Sequence, residues 1–402
     1  MRSVVILGST GSIGENALRV IEAHPEALRV AGLSTRTHIM RVLDQALRFD
    51  VPVVAVADEN AAREAETLAR PHGIEVWPGE AGVAALAALP KADMVLCALV
   101  GLAGLEPVLE AIRVGHDIAL ATKEVLVAAG ELVMRRRAAA GVRMLPVDSE
   151  HSALFQCLQT PGCPPACVRD AADTSRIEAR VARFALTASG GPFGASKETD
   201  FDRVTPEEAL THPRWDMGRK VTIDSATMMN KGLEILEAHW LFNLPVAKID
   251  VLIHPESVVH SMVTFTDGAT LAQLSMPDMR FPIQYALTWP ERLTADLPRL
   301  DLARMGCLTF AEPDTTRFPC LRLAREAAQA GGTAPAVLNA ADEVAVEAFL
   351  AGAIPFSGIA RAVEAVMAQH DVKTCVELET ILEADAWARR QAGAQVKKSG
   401  TT

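Results

Sequence analysis

Ser3-Val-Val-Ile-Leu-Gly-Ser-Thr-Gly-Ser-Ile-Gly14 opens the chain with a short apolar run and three evenly spaced glycines, and a helical pattern continues from Asn16 to Ala23. Strand, glycine turn and helix in this order form the setting of a dinucleotide-binding turn. The glycines let the backbone approach a pyrophosphate, and the helix N-terminus offers N–H donors with a partial positive charge. The spacing is GxxGxxG rather than GxGxxG, so a tight turn that binds nothing is the competing reading. The later strands favour the dinucleotide turn. Val30–Leu33, Val53–Val56, Met94–Cys97, Ile118–Ala121 and Met144–Val147 are apolar runs separated by helical segments. That alternation predicts an α/β fold with a Rossmann-like, doubly wound parallel sheet over residues 1–150.

The residues after the second strand bear on the cofactor. An NAD enzyme usually places Asp or Glu there to hold the ribose 2′-hydroxyl. This chain has Ser34-Thr35-Arg36-Thr37, a cation among hydroxyls, which suits the 2′-phosphate of NADP(H). An ordinary solvated arginine is the alternative. Ala98–Leu105 and Ala121-Thr-Lys123-Glu-Val125 also come after strands, at the carboxyl edge where ligands of open α/β sheets bind. Lys123 is therefore a candidate substrate or cofactor contact, against the reading of a charge flanking a helix.

Composition narrows the class. The chain has 402 residues, enough for two or three domains, and a net charge of −11 that argues against a nucleic-acid partner. An anionic substrate must then be met by local Lys and Arg. Seven cysteines without paired CxxC motifs read as free thiols. No apolar run reaches the roughly 18–20 residues of a membrane span. The chain starts directly in a strand, so the expectation is a soluble, cytoplasmic protein with no membrane partner.

Chemistry enters at Pro146-Val-Asp148-Ser149-Glu150-His151. In an extended segment the two carboxylates project to one side, where they repel unless a cation or proton separates them. With Glu234 as a third oxygen ligand and no Cys or His at metal spacing, the ion should be hard, Mg²⁺ or Mn²⁺. Ser149 is placed to hydrogen-bond a substrate, and His151 reads as supporting or structural. Thr160–Arg183 reads as a surface excursion. The strand Phe184–Ala188 then runs into Ser189-Gly-Gly-Pro-Phe193, an anion nest or a plain turn. Trp215 and Met217, in the segment His212–Lys220, suggest a lid at about 209–219 with His212 at its hinge; core packing is the competing account.

The richest stretch is Ile223-Asp-Ser-Ala-Thr-Met-Met-Asn-Lys-Gly-Leu-Glu234. It is expected to begin with a β-type run, Val221-Thr-Ile223, and to pass through Ser225 into a helix ending near Phe242. Asn230 and Glu234 then lie one turn apart, with Lys231 beside them. Such a group suits a substrate with a phosphate at one end and metal-bound oxygens at the other. A capped surface helix with a Lys–Glu pair is the plainer reading. Further along, Ile249–Ile253, Ser257–Phe265 and Thr270–Leu274 read as strands of a sheet that supports the site and a subunit contact. Leu321–Ala330, Ala336–Leu350, Gly358–His370 and Val376–Arg390 read as a helical bundle. The expected domains are residues 1–150, an α+β catalytic and dimerisation domain 151–290, a connector 291–315, a helical domain 316–395 and a frayed tail 396–402.

With these residues in view, the chain resembles the 1-deoxy-D-xylulose 5-phosphate reductoisomerases over nearly its whole length. The carrying motifs are Gly8–Gly14, Val147–His151, Thr187–Phe193, His212–Met217 and Ile223–Glu234, with Ile253–His260 and Leu338–Glu343. The resemblance implies NADPH, a divalent cation (Mg²⁺, Mn²⁺ or Co²⁺), a sugar-phosphate substrate and a homodimer. By matching position it assigns Asp148, Glu150 and Glu234 to the metal, and Ser189, Ser225, Asn230 and Lys231 to the phosphate. Ser149, Lys123, His212 and Trp215 line the substrate. Cofactor contacts fall on Gly8, Thr10, Gly11, Ser12, Ile13, Arg36, Thr37, Thr122, Glu124, Met217 and Gly218, with Met217 near the nicotinamide. Two departures stand out: Thr122 occupies a position that is often Asn, and the excursion at 160–183 is longer than usual. The other readings are a plain NADP-dependent dehydrogenase of the homoserine or semialdehyde type, and a non-catalytic NADP sensor. Neither requires Asp148, Glu150 and Glu234 together.

Overall fold

β1 (Arg2–Leu7) is buried from Ser3 onward, because parallel neighbours flank it on both sides. The computed structural model describes residues 1–159, 177–194, 199–211, 217–374 and 377–399. They fall into two compact units, the first Met1–Val125, Val133–Ser175 and Asp278–Pro298, the second Leu126–Leu132, Arg176–Pro277 and Arg299–Thr402.

The first unit is built on a parallel sheet. Its strands are β1, β2 (Leu28–Thr35), β3 (Val53–Val56), β4 (Glu75–Pro78), β5 (Met94–Cys97), β6 (Asp117–Leu120) and β7 (Met144–Pro146), in the order β4-β3-β2-β1-β5-β6-β7. The order reverses between β1 and β5, which opens a crevice beyond their carboxyl ends. Gly8 lies in that crevice with φ +84°, and a Cβ there would sit 2.5 Å from the Ala98 carbonyl oxygen. At Gly14 a Cβ would meet the Gly8 carbonyl at 2.4 Å. Backbone packing therefore demands both glycines. β4 has no counterpart among the expected strands: Glu75-Val-Trp-Pro78 is short, and Val76 is its single buried side chain. The helix Arg280–Thr288 packs on the helices Ser12–Ala23 and Ser149–Cys157, and Phe155 meets the rings of Tyr285 and Trp289. Asp278–Pro298 thus joins the first unit, where the reading from sequence divided this stretch between the central domain and the connector.

The second unit holds a four-stranded sheet in the order β11-β10-β8-β9, from β8 (Val181–Ala188), β9 (Ile249–Ile253), β10 (Val259–Phe265) and β11 (Thr270–Leu274). β8 and β9 are parallel, whereas β10 is antiparallel to β8 and β11. The helices Pro319–Ala330, Ala334–Leu350, Phe356–Met367 and Leu378–Ser399 form the expected bundle. Met229, Leu233 and Leu236 enter its core beside Cys320, Leu323, Val337 and Leu338. The close approach depends on Gly232, where a Cβ would stand 2.5 Å from the Ala324 Cβ.

Three local expectations are corrected. Val221-Thr-Ile223 is not strand but the middle of the helix Arg219–Thr227, where burial of Thr222 and Ile223 outweighs β-branched propensity. Asp148 and Glu150 are not on an extended segment. Asp148 occupies the N-cap position of the helix Ser149–Cys157, and Glu150 lies in its first turn. The polar C-terminus is helical to Ser399 because Ala388 and Ala392 are fully buried, so fraying does not begin at 396. Cys157 is a buried free thiol, pushed up to about 11 by burial, while Cys163 and Cys167 lie outside the described residues. No helix among the described residues is long and apolar enough to cross a membrane.

Candidate active site

The glycine turn is braced by the end of β2. The Gly8 N–H donates to Ser34 Oγ at 3.0 Å, and the Thr10 and Thr35 hydroxyls pair at 2.8 Å. Ser9 is buried and its hydroxyl lies 2.7 Å from Gln45 Oε1. Gly11 caps the helix Ser12–Ala23 with no side chain across its first N–H groups, and Gly11 and Ser12 are exposed. That helix end is left without a side-chain cap, as a pyrophosphate site requires. Arg36 and Thr37 are exposed at the β2 end, so the 2′-phosphate reading keeps an accessible cation.

The β6 end carries the next group. Thr122 is 2% exposed, and its hydroxyl donates to the Leu99 carbonyl at 2.6 Å. This bond fastens the loop after β6 to the loop after β5, a role no local sequence signal reveals. Glu124 is buried at 8% exposure, which places it against the interior of the first unit. Lys123 starts the helix Glu124–Ala140, and its ammonium lies 2.5 Å from Asp148 Oδ2. The Ser149 hydroxyl donates to the Glu150 carboxylate. His151 is fully buried, with Nδ1 3.8 Å from Asp148 Oδ2. Lys123, Asp148, Ser149 and Glu150 are each partly exposed while their neighbours are buried, so four polar groups face outward from one edge of the sheet.

The second unit gathers the anion-binding candidates. Gly190 and Gly191 have φ +85° and +61°, and a Cβ on Gly191 would approach the Ser225 carbonyl oxygen at 2.8 Å. The Ser-Gly-Gly turn therefore lies directly on the helix Arg219–Thr227, which places it against Ser225. The Gly191 N–H donates to Ser189 Oγ at 3.1 Å. Met228, at φ +64°, interrupts the helical run, and the helix Met229–Phe242 comes next. Asn230 Nδ2 donates to Glu234 Oε1 at 2.5 Å, and the Lys231 ammonium pairs with Glu234 Oε2. From Thr222 to Ala238 every residue is buried except Ser225 and Asn230. Two polar side chains thus open to the exterior from an otherwise sealed segment. At the start of this stretch, Met217 is half-buried and Gly218 exposed. His212 and Trp215 fall outside the described residues, as do the rest of 212–216 in the lid and most of the excursion.

Sequence reasoning missed a buried group behind Ser225. The Lys220 ammonium lies 2.6 Å from Asp224 Oδ2 and 3.0 Å from Asp342 Oδ2. Burial first, and then the neighbouring Asp342, hold the Asp224 carboxyl well above its ordinary value, while Lys220 opposes the shift. The signal was a lysine and an aspartate one turn apart, but the second aspartate is distant in sequence.

Three family profiles match successive parts of the chain. They are described as 1-deoxy-D-xylulose 5-phosphate reductoisomerase (residues 4–130), its C-terminal domain (144–242), and DXP reductoisomerase C-terminal domain (274–391). The chain is 50% identical over 393 residues to the 1-deoxy-D-xylulose 5-phosphate reductoisomerase of Moorella thermoacetica, with 98% of each covered. It is 51% identical over 398 residues to that of Symbiobacterium thermophilum, again with 98% of each covered. Among solved structures it is similar to the Zymomonas mobilis enzyme in complex with NADPH, at 40% identity and a TM-score of 0.89, covering 98% of this chain and 99% of that one. A DOX-P reductoisomerase in complex with NADPH, fosmidomycin and magnesium matches at 39% identity and a TM-score of 0.91, covering 99% and 98%. Running along nearly the whole length of both partners, these matches establish that the chain belongs to the 1-deoxy-D-xylulose 5-phosphate reductoisomerase family.

Proposed function

We propose that this enzyme converts 1-deoxy-D-xylulose 5-phosphate to 2-C-methyl-D-erythritol 4-phosphate with NADPH and a divalent cation. The observation that carries this reading is the pair Ser225 and Asn230, open to the exterior in a sealed segment beside the buried Lys231–Glu234 pair. A plain dehydrogenase or an NADP sensor has no use for that group, and the family matches continue through it.

The donor set fits a hard cation: Asp148, Glu150 and Glu234 offer carboxylate oxygens and no thiolate. The ion would be held by these three, Mg²⁺ being favoured by the magnesium complex of the relative. When bound, it polarises the ketone, and NADPH supplies the hydride.

The chain's own residues do the rest. Ser189, Ser225, Asn230 and Lys231 grip the phosphate, with Lys231 supplying the full positive charge. Carbon–carbon cleavage and re-formation conserve every atom, so the fragments must be kept in register, which is the work of that grip. Ser149 orients a substrate hydroxyl. Lys123, held at Asp148, is placed to deliver a proton to an oxygen that gains charge. The branched aldehyde then takes one hydride and one proton and becomes the primary alcohol. Gly8, Thr10, Gly11, Ser12 and Ile13 hold the pyrophosphate of NADPH, and Arg36 and Thr37 its 2′-phosphate. Thr122, Glu124, Met217 and Gly218 complete the cofactor side, and His212 and Trp215 the substrate side.

The working enzyme is a cytoplasmic homodimer, a reading supported for the dimer by the exposed edge strand β11, whose Leu271 is 41% exposed. The deciding assay is NADPH oxidation with the ketose phosphate, with and without chelator, then determination of the product's carbon skeleton. A branched product formed only without chelator is expected. A straight-chain product would indicate a simple dehydrogenase, and no turnover would indicate a sensor.

A further inference from the structure

Lys220, Asp224 and Asp342 form a buried cluster that none of the proposed chemistry uses. Lys220 and Asp224 lie one turn apart on the helix Arg219–Thr227, and Asp342 comes from the helix Ala334–Leu350. The two aspartates are 2% and 0% exposed, and both carboxyls sit on one ammonium. Two ionised carboxylates and one lysine would leave an uncompensated negative charge in the interior, which is costly. The neutral arrangement carries one proton on the aspartate pair. That agrees with the direction in which burial and Asp342 move Asp224. The other titratable group acting here is the buried Cys320 thiol on Pro319–Ala330, raised chiefly by burial and then by Asp342 and Asp224, so it stays neutral.

Asp224 immediately precedes Ser225, whose carbonyl is packed by Gly191 of the Ser-Gly-Gly turn. We propose that Lys220, Asp224 and Asp342 are positioning residues which fix Ser225 and keep the floor of the phosphate site electrically neutral. The proposal rests on the phosphate reading of Ser189, Ser225, Asn230 and Lys231. At an effective dielectric of about 20, one added negative charge close behind a phosphate dianion weakens its binding by roughly ten- to a hundredfold.

The test is a panel of Lys220→Met, Asp342→Asn and the double variant, assayed with the ketose phosphate and, separately, for binding of inorganic phosphate. Lys220→Met should raise KM at least about tenfold while kcat falls less than about threefold and NADPH affinity holds. In the Lys220→Met background, Asp342→Asn leaves one carboxyl, Asp224, which burial without its lysine keeps protonated, so the surplus charge is gone and KM should return to within about twofold of wild type. Asp342→Asn alone lets Asp224 pair with Lys220 as a carboxylate. The wild-type KM should rise at the pH where its shared proton is lost, and Asp342→Asn should abolish that alkaline rise. An unchanged KM in Lys220→Met, a double variant as impaired as the single one, or an alkaline rise that persists in Asp342→Asn would each overturn the proposal. Should Lys220→Met fail to fold, the Asp342→Asn pH profile decides alone. Absence of turnover in the wild type would instead sink the reaction, and phosphate binding across the panel still judges the cluster.

Discussion

Glu234 is 1% exposed and engaged by both Asn230 and Lys231. Glu234→Gln keeps its shape and removes the charge, so turnover should be lost while NADPH still binds; fluorescence titration of the cofactor and an oxidation assay check the two halves. Equal turnover at saturating metal would remove Glu234 from the ligand set. Asp224 gives a second expectation. Unfolded, it ionises near 3.8, whereas the folded group keeps its proton to higher pH. Folding therefore takes up a proton, and this contribution to stability declines as pH rises from about 4 until the folded group ionises. Urea unfolding across that range should show a flatter pH dependence for Asp224→Asn than for the wild type. The contrast between these residues explains what could be read from the chain. The Asn230–Glu234 contact is set by helical periodicity, so the sequence shows it. Asp342 reaches Lys220 through tertiary packing, and no local spacing announces that.

At the level of elements, strands whose sequence was short, apolar and bounded by turns were recoverable. β3, β5, β9 and β11 coincide with the runs that signalled them. β4 was missed because a strand with a single buried side chain lacks the apolar run that marks its neighbours. Val221-Thr-Ile223 was misread because β-branched residues favour strand only where no stronger packing demand exists. Gly232 shows such a demand. Gly232→Ala would force a Cβ against Ala324, at 2.5 Å in the present packing, and should cost about 1–3 kcal/mol of stability by overpacking. The measurement is the urea midpoint, with a parallel assay of whether KM also rises as the Met229–Phe242 helix shifts.

For the molecule as a whole, a chain of net charge −11 that binds a sugar phosphate and a phosphorylated cofactor must do so through few cations placed with care. Lys123, Arg36 and Lys231 are the ones this reading depends on. The proposed homodimer should sediment at twice the 42.9 kDa of one chain. Charge placed on β11, as in Leu271→Asp, should shift that equilibrium toward monomer. The left-handed conformation of Met228 between the two helices has a mechanical consequence. A continuous rod would pass any tug on Ser225 straight to Glu234; a rod jointed at Met228 does not. One arm is bolted down at Gly232, and the other hangs from the cluster of Lys220, Asp224 and Asp342. Amide hydrogen exchange should therefore be faster in residues 219–227 than in 229–242, with phosphate slowing the former more than the latter.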